Sequence, residues 1–204
     1  MDTRTNPKIS VVVPIHNMAD GDKFLWRLVN SLTAQTFKDW ELIITKDGKM
    51  AENTNSGIKR ARGELIKILY LDDYFLTENA LMKMVIIFEG FEKMQNKIIE
   101  WLIVATDDNL HPAWTDDIET GNNKLSSPSA LMFRNHFEDN LLFDERMSWL
   151  LDADFYKRMY KKYGKPVILN DQIIGIGKGD HQMTHILTDE EKLKEYELIK
   201  QKYE

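Results

Sequence analysis

Two adjacent carboxylates, Asp72 and Asp73, stand at the end of the apolar run Ile66–Leu71, at the centre of the segment Ile66–Phe75. Such a run is typical of a strand that is buried on both faces of a parallel sheet. Unpaired charges beside a core are costly, and ligands of open α/β sheets bind at the carboxyl ends of strands. The pair therefore predicts a cation site at the mouth of a sheet. The alternative is that it caps a turn or the helix expected from Thr77.

Strands and helices alternate through the segment that leads to this pair. Segments rich in β-branched residues predict strands at Ile9–Ile15 and Trp40–Thr45. The spacing of apolar residues predicts helices at Asp22–Gln35 and Asn55–Arg62, the second closed by Gly63. This alternation indicates a parallel sheet with right-handed crossovers.

Polar side chains follow each of these three strands. His16 and Asn17 follow the first, Asp47 follows the second, and Asp72 and Asp73 follow the third. Because the carboxyl ends of parallel strands lie at one edge of a sheet, we expect these residues to converge on a nucleotide-binding rim.

The second half of the chain has a looser pattern of apolar segments. It predicts a helix at 77–94, strands at 101–106 and 129–133, a polar loop or lid at 107–127, a helix at 149–163, an extended segment at 167–176 and a charged helix at 188–204. Thr188 and Glu191 have the spacing of a capping box at the start of the last helix. This helix packs on the domain or mediates dimerisation.

Composition excludes several classes of protein. The 204 residues carry a net charge of −6, which argues against non-specific binding of nucleic acid. The absence of cysteine excludes disulfides and thiolate chemistry. We expect no secretory signal, because the N-terminal MDTRTNPK lacks an apolar core, and no transmembrane segment, because the apolar windows are too short. A cytoplasmic location, with or without peripheral attachment to the inner face of a membrane, is the expectation.

The ordered set of motifs from residue 8 to residue 187 resembles the family 2 glycosyltransferases. The motifs are VVVPIHN (11–17), SLTAQTF (31–37), WELIITKDG (40–48), NSGIKRARGELIKIL (55–69), SSPSALMFRN (126–135), FDERMSWLLDADFYKRM (143–159) and GDHQMTH (179–185). The resemblance implies an α/β fold of the GT-A type, a Rossmann-like three-layer sandwich with a mainly parallel central sheet. It also implies one domain at 1–187, with a donor half at 8–106 and an acceptor half at 107–187, followed by a helical extension at 188–204.

The resemblance further implies which residues bind the nucleotide donor. Pro14, His16 and Asn17 correspond to the residues that border the nucleotide, and Asp47 corresponds to the aspartate that accepts a hydrogen bond from the base. As a turn residue before Gly48, Asp47 has a purely structural alternative.

Two basic residues of the second helix have positions that allow either of two roles. Arg60 and Lys59 are able to reach the diphosphate, but both are equally suited to a solvated helix face.

The acidic motif of the family binds the donor diphosphate through Mn²⁺ or Mg²⁺. Asp73 is expected to be the direct ligand, with Asp72 directed towards the sugar or ribose, whereas Tyr70 stands where the family often has its first aspartate. His181 corresponds to a histidine that in some relatives helps to hold the metal or the diphosphate, and His185 is the alternative.

Asp152 corresponds to the catalytic base of the family. The family usually has a Glu-Asp pair here, six residues before an arginine; Leu151 replaces the glutamate, and Arg158 keeps the spacing. Asp154 is the competing candidate, but residues two apart on a helix point in different directions, so both cannot face one site. The structural alternative is that both acids favour the dipole at the start of a helix.

The resemblance thus implies an inverting, metal-assisted transferase that uses a UDP- or GDP-sugar and an acceptor glycan or glycoconjugate. Trp114 of the polar loop is in a position to cover the acceptor. A pyrophosphorylase or a dinucleotide-dependent oxidoreductase is disfavoured, because PIHNMADGD follows the first strand in place of a glycine-rich loop. The remaining rival is a non-catalytic module of the same fold that binds a nucleotide sugar or carbohydrate.

Overall fold

A computed structural model describes residues 6–96 and 98–203 of the chain. The strands are β1 (Ile9–Pro14), β2 (Trp40–Thr45), β3 (Leu65–Ile68), β4 (Tyr74–Phe75), β5 (Trp101–Thr106), β6 (Leu131–Arg134) and β7 (Val167–Gly175). The helices are α1 (Gly21–Thr33), α2 (Met50–Arg60), α3 (Ala80–Gln95), α4 (Leu151–Tyr163), α5 (Met183–Ile186) and α6 (Asp189–Tyr203).

The strands form one seven-stranded sheet in the order β2-β1-β3-β6-β5-β7-β4. β1 is buried at every position and pairs in parallel with both β2 and β3, so the three strands predicted at the start of the chain lie side by side. β7 is parallel to β5, whereas β6 is antiparallel to both β3 and β5, and β4 is antiparallel to β7. The predicted α/β class and the parallel arrangement of the N-terminal strands are confirmed.

The strand that leads to Asp72 and Asp73 is shorter than the sequence predicted. β3 ends at Ile68, and although Leu69 still donates to the carbonyl of Val12 (2.9 Å), the chain then turns, with the amide of Asp73 donating to the carbonyl of Tyr70 (2.9 Å). The next residues form β4, which pairs with β7 instead of extending β3. The two aspartates therefore occupy a tight turn between two strands.

Helix α2 begins at Met50, not at Asn55 as predicted. Its first turns bury polar side chains, and these hid the helical periodicity. Asn53 donates to the carbonyl of Ile15 (2.8 Å) and Asn55 donates to that of Phe143 (2.9 Å), so each buried amide is satisfied by a distant backbone group.

The capping box at the start of α6 is present. The Glu191 carboxylate accepts from the amide of Thr188 (2.9 Å), and the Thr188 hydroxyl accepts from the amide of Glu191 (3.3 Å). The predicted end at Glu204 lies outside the described residues. In the ranges that the structure describes, no helix combines the length and the apolar character needed to cross a bilayer.

Candidate functional site

Two neighbouring pockets open at the carboxyl ends of β1, β2 and β3. We call the first the outer cleft: it has a volume of about 430 Å³ and is lined by residues that include His16, Asn17 and Lys46. The second, the central pocket, has a volume of about 200 Å³, and His16 belongs to both linings. The central pocket is lined by further residues that include Tyr70, Asp72, Asp73, Trp149, Asp152, Gly177 and His181.

Asp72 has its side chain on the accessible side of the central pocket. Its Oδ2 lies 2.8 Å from Nε2 of His181, and its backbone carbonyl accepts a hydrogen bond from Arg27. The Arg27 guanidinium also lies 4.2 Å from the centre of the Tyr74 ring. Arg27 therefore contacts the turn at Asp72 and the residue that follows it at Tyr74. A carboxylate and an imidazole thus meet at the pocket, and a metal-binding role for His181 stays a prediction from the sequence.

His16 contributes a second imidazole to this corner. Partial burial lowers its pKa below the usual value, the negative charge of Asp72 opposes that shift, and the neighbouring His181 adds to it. His16 is therefore favoured as a neutral group that is able to donate or accept a hydrogen bond at the junction of the two pockets.

Asp73, in contrast, is held inside the protein. Its side chain is buried, and its Oδ1 accepts from the amide of Gly177 (2.8 Å). Burial raises the pKa of Asp73 far above the usual range, and the adjacent charge of Asp72 raises it further, while hydrogen bonds from Ser129 and Gly177 and the charge of Lys67 oppose the shift. This carboxyl group already has protein donors, whereas the Asp72 carboxylate is the one that contacts His181 at the pocket.

Lys67 is a buried cation that no sequence motif pointed to. It lies in β3, is completely buried, and donates to the carbonyls of Ser129 and, at 3.3 Å, Leu131. Burial lowers its pKa to about 7, and the charge of Asp73 opposes that shift. An isolated lysine in a β-strand pattern carries no signal of this kind, because its partners come from a segment more than 60 residues away in the chain.

Asp152 lies in the first turn of α4 and faces the central pocket. Its Oδ1 accepts from the amide of Ala153 (2.7 Å) and its Oδ2 from the side-chain amide of Asn123 (2.9 Å). Burial raises the pKa of Asp152 to about 6, although both hydrogen bonds oppose the shift. A carboxylate with a pKa near neutrality is suited to accept a proton in a reaction.

Asp154 faces away from the pocket and is completely buried. Its carboxylate contacts Arg158 (2.8 Å), Lys202 (2.6 Å) and the hydroxyl of Tyr203 (2.7 Å). The two acids that the sequence left as alternatives therefore have different positions. Asp152 reaches the pocket, and Asp154 joins α4 to the end of α6.

The other predicted residues lie at various distances from the pockets. Pro14 is the buried last residue of β1. Asp47 is exposed and accepts from the hydroxyl of Ser56 (2.6 Å), so it lies on the rim but outside both pocket linings. Arg60 is exposed at the opposite end of α2 from Met50, which lines the central pocket.

Two further candidates also lie outside the central pocket lining. His185 is exposed on α5. Trp114 packs against Tyr160, with ring centres 4.4 Å apart, and its indole nitrogen donates to Asp116. The central pocket is instead bordered by Trp149, for which the sequence predicted a helical position but no role in the site.

Metal ligation within this site rests on few side chains. In residues 6–96 and 98–203 there is no group of three or more histidine and acidic side chains with the arrangement of a metal site. Asp72 and His181 place one carboxylate oxygen and one imidazole nitrogen side by side at the pocket.

Comparison with known proteins identifies the type of fold and the family. The family model described as "Glycosyl transferase family 2" matches residues 10–171. An uncharacterized glycosyltransferase of Rickettsia bellii is 25% identical over 127 residues, which are 62% of this chain and 17% of the relative. The uncharacterized protein y4gI of Sinorhizobium fredii is 27% identical over an alignment of 158 residues, and the match covers 60% of this chain and 17% of that protein. The chain thus spans about a sixth of the length of these curated relatives.

Solved structures show the same fold. The S. aureus TarS fragment 1–349 in complex with UDP-GlcNAc has a TM-score of 0.69 and 17% identity, over 94% of this chain and 65% of that one. The mannosyltransferase PcManGT of Pyrobaculum calidifontis, in complex with GDP-Man and Mn²⁺, has a TM-score of 0.63 and 12% identity, over 87% and 59%. The predicted GT-A fold is confirmed.

Proposed function

Because the chain belongs to glycosyl transferase family 2, we propose that it transfers a sugar from a nucleoside-diphosphate donor to a hydroxyl group of an acceptor, with inversion at the anomeric carbon. One observation carries this proposal: Asp152, Asp72 and His181 line the same pocket although they come from distant parts of the chain. The proposed proton acceptor therefore shares one pocket with a pair of side chains suited to a diphosphate-bound cation.

Asp152 is the proposed base. In a single displacement, the acceptor oxygen bonds to the anomeric carbon as the bond from that carbon to the diphosphate oxygen breaks, and the departing diphosphate keeps the electron pair. The acceptor proton passes to the Asp152 carboxylate, which is held by Asn123 and by the amide of Ala153. Since its pKa is about 6, this group is ionised and ready at neutral pH.

Asp72 and His181 are the proposed protein ligands of a divalent cation. The chemistry of this donor set fits Mn²⁺ or Mg²⁺ only in part, because hard cations prefer several oxygen ligands and the diphosphate would supply the remaining ones. A bound cation would neutralise the charge that develops on the leaving diphosphate. Asp73 then serves to hold the turn on which Asp72 lies, through its bond from Gly177.

The outer cleft is the proposed site of the nucleoside. It adjoins the central pocket at His16, and Asn17 and Lys46 provide polar and cationic groups along its wall. Pro14 ends β1 two residues before His16, and Asp47 on the neighbouring strand end remains the proposed partner of the base. The UDP-GlcNAc complex of TarS and the GDP-Man complex of PcManGT make UDP- and GDP-sugars the donors to test.

Trp149 is the proposed wall for the acceptor glycan, in place of the tryptophan that the sequence suggested. It borders the central pocket beside Asp152, and aromatic faces provide large rigid contact areas for ligands. A glycan or glycoconjugate acceptor, a homodimer and a cytoplasmic location stay predictions from the sequence.

A non-catalytic module that binds a nucleotide sugar is the second candidate, favoured by Tyr70 and Leu151 at positions where acids are common in the family. The deciding experiment incubates the protein with a panel of UDP- and GDP-sugars, with Mn²⁺ or a chelator, and measures nucleotide release and the anomeric configuration of any product. Metal-dependent turnover with inversion supports the enzyme. Tight donor binding without turnover across the panel supports the module and overturns the proposed reaction.

A further inference from the structure

Glu195 of α6 makes an unusual set of contacts. Its buried carboxylate accepts hydrogen bonds from three consecutive backbone amides, those of Ser148 (2.8 Å), Trp149 (2.9 Å) and Leu150 (2.8 Å). These residues form the turn that leads into α4. Because the amides before a helix have no partners within it, a buried turn of this kind needs an acceptor from elsewhere.

The helix itself offers no such acceptor. Leu150 is the N-cap residue of α4, and its apolar side chain makes no capping bond. Glu195 therefore performs, from 45 residues further along the chain, the task that a serine or aspartate usually performs locally. α4 begins at Leu151, two residues later than the sequence predicted, directly after the turn whose amides Glu195 binds.

The turn held by Glu195 is part of the pocket wall. Ser148 and Trp149 line the central pocket, and so do Leu151 and Asp152, which follow directly in the chain. A shift of this turn would move both the proposed acceptor wall and the proposed base. The matched family region ends at residue 171, so Glu195 lies outside it.

Glu195 of α6 also acts electrostatically on Asp152, the proposed base. The charge of Asp152 in turn adds to the burial that raises the pKa of Tyr70, in the turn after β3, and of Tyr156 in α4. The negative charge of Glu195 adds to the burial that raises the pKa of Asp152, whereas Asn123 opposes it.

We propose that Glu195 is a positioning residue for Asp152: by binding three successive amides, it fixes the turn from which Asp152 and Trp149 reach the central pocket. The inference rests on the proposed function, because it takes Asp152 as the base. α6 then helps to set the geometry of the central pocket and is not only an extension of the domain.

The test compares Glu195→Gln with the wild-type chain and with the matched control Glu190→Gln, which alters an exposed residue of the same helix paired with Lys194. NMR measures hydrogen exchange of the amides of residues 148–150 and the titration of the Asp152 carboxyl group. We expect exchange in Glu195→Gln to be at least about tenfold faster, since an amide side chain satisfies the turn less well than a carboxylate. The Asp152 titration should move to lower pH, because a negative charge is removed.

Kinetics on the same variants separate positioning from general stability. Glu195→Gln should lower kcat by about 10–100-fold, as expected for a displaced reacting group, leave KM for the donor nearly unchanged, and move the acidic limb of the pH profile downwards. Glu195→Asp, which keeps the charge, should leave that limb near its wild-type position.

Two outcomes are distinct. If the wild-type chain turns over no donor, the proposed function fails, but amide exchange and the Asp152 titration still report on Glu195. If Glu195→Gln folds with unchanged exchange at residues 148–150 and an unchanged Asp152 titration, the positioning role is overturned whatever the activity. A fall in thermal midpoint alone, without those changes, would likewise leave Glu195 a structural residue only.

Discussion

Asp72 and Asp73 follow β3, whereas Asp152 and Asp154 begin α4, and the two pairs show the same division between an accessible and a buried carboxylate. Asp72 meets His181 at the central pocket, while Asp73 is buried against the amide of Gly177. Asp152 faces the same pocket, while Asp154 is buried among cations and a tyrosine of α4 and α6. In both pairs, the buried acid is held by contacts within the protein, and the other acid is the more accessible one at the central pocket.

The largest expected effect is a loss of activity on substitution of Asp152, the accessible acid of the pair in α4. Asp152→Asn should lower transfer by about 10²–10⁴-fold, because the acceptor loses its proton acceptor, while calorimetry should show nearly unchanged donor affinity. Turnover close to that of the wild type would remove Asp152 from the role of base.

The buried member at α4 should respond in stability instead. Asp154→Asn leaves Arg158 without its anion and Lys202 with Asp144 alone, and breaking such a buried network should lower the free energy of unfolding by about 3 kcal/mol. Urea unfolding measures this change. A stable Asp154→Asn protein that lacks activity would reverse the assignment of the two acids.

Substitutions of the two acids after β3 should differ in their effect on nucleotide binding. Asp72→Asn should weaken Mn²⁺-dependent binding of UDP or GDP by about 10–100-fold, since the accessible carboxylate is the proposed ligand. Asp73→Asn should weaken it much less, because an amide oxygen is still able to accept from Gly177. Calorimetry with and without a chelator compares them, and a larger loss for Asp73→Asn would restore the sequence-based choice of ligand.

A smaller effect concerns the ionisation of Asp152. With a pKa of about 6, this base should lose activity as the pH falls below that value, because its proton-free form disappears. Asn123 donates to the carboxylate and so lowers its pKa, and Asn123→Leu should therefore move the acidic limb of kcat/KM to higher pH. A downward shift, or none, would contradict this account of the site.

The smallest effect is expected at Arg60. This residue is exposed at the end of α2 remote from the central pocket, so Arg60→Ala should leave donor affinity almost unchanged. Lys46→Ala, in the lining of the outer cleft, is the matched comparison and should weaken binding more. Equal losses for the two variants would mean that the donor extends along α2.

The sequence was sufficient to predict the N-terminal fold and to select both acidic pairs. Strands β1 and β2 and the position of Asp72 follow from local patterns, because continuous apolar runs and polar strand ends are properties of neighbouring residues. The choice between members of a pair is not local. It depends on contacts such as Asp72 with His181 and Asp154 with Tyr203, which join segments far apart in the chain. Glu195 illustrates the limit, because a glutamate in a charged helix gives no sign that it binds a distant turn.

The reversed strand β6 has a consequence for the order in which the protein acquires its shape during synthesis. Once β3 has left the ribosome, one of its edges is able to pair with β1, but the other edge stays unpaired until β6 has been made, and β6 begins at Leu131. At typical synthesis rates of 5–20 residues per second, this delay lasts roughly 3–13 s. During this interval an apolar edge is open to pairing with other nascent chains. Slow translation between β3 and β6 should therefore favour aggregation of this protein.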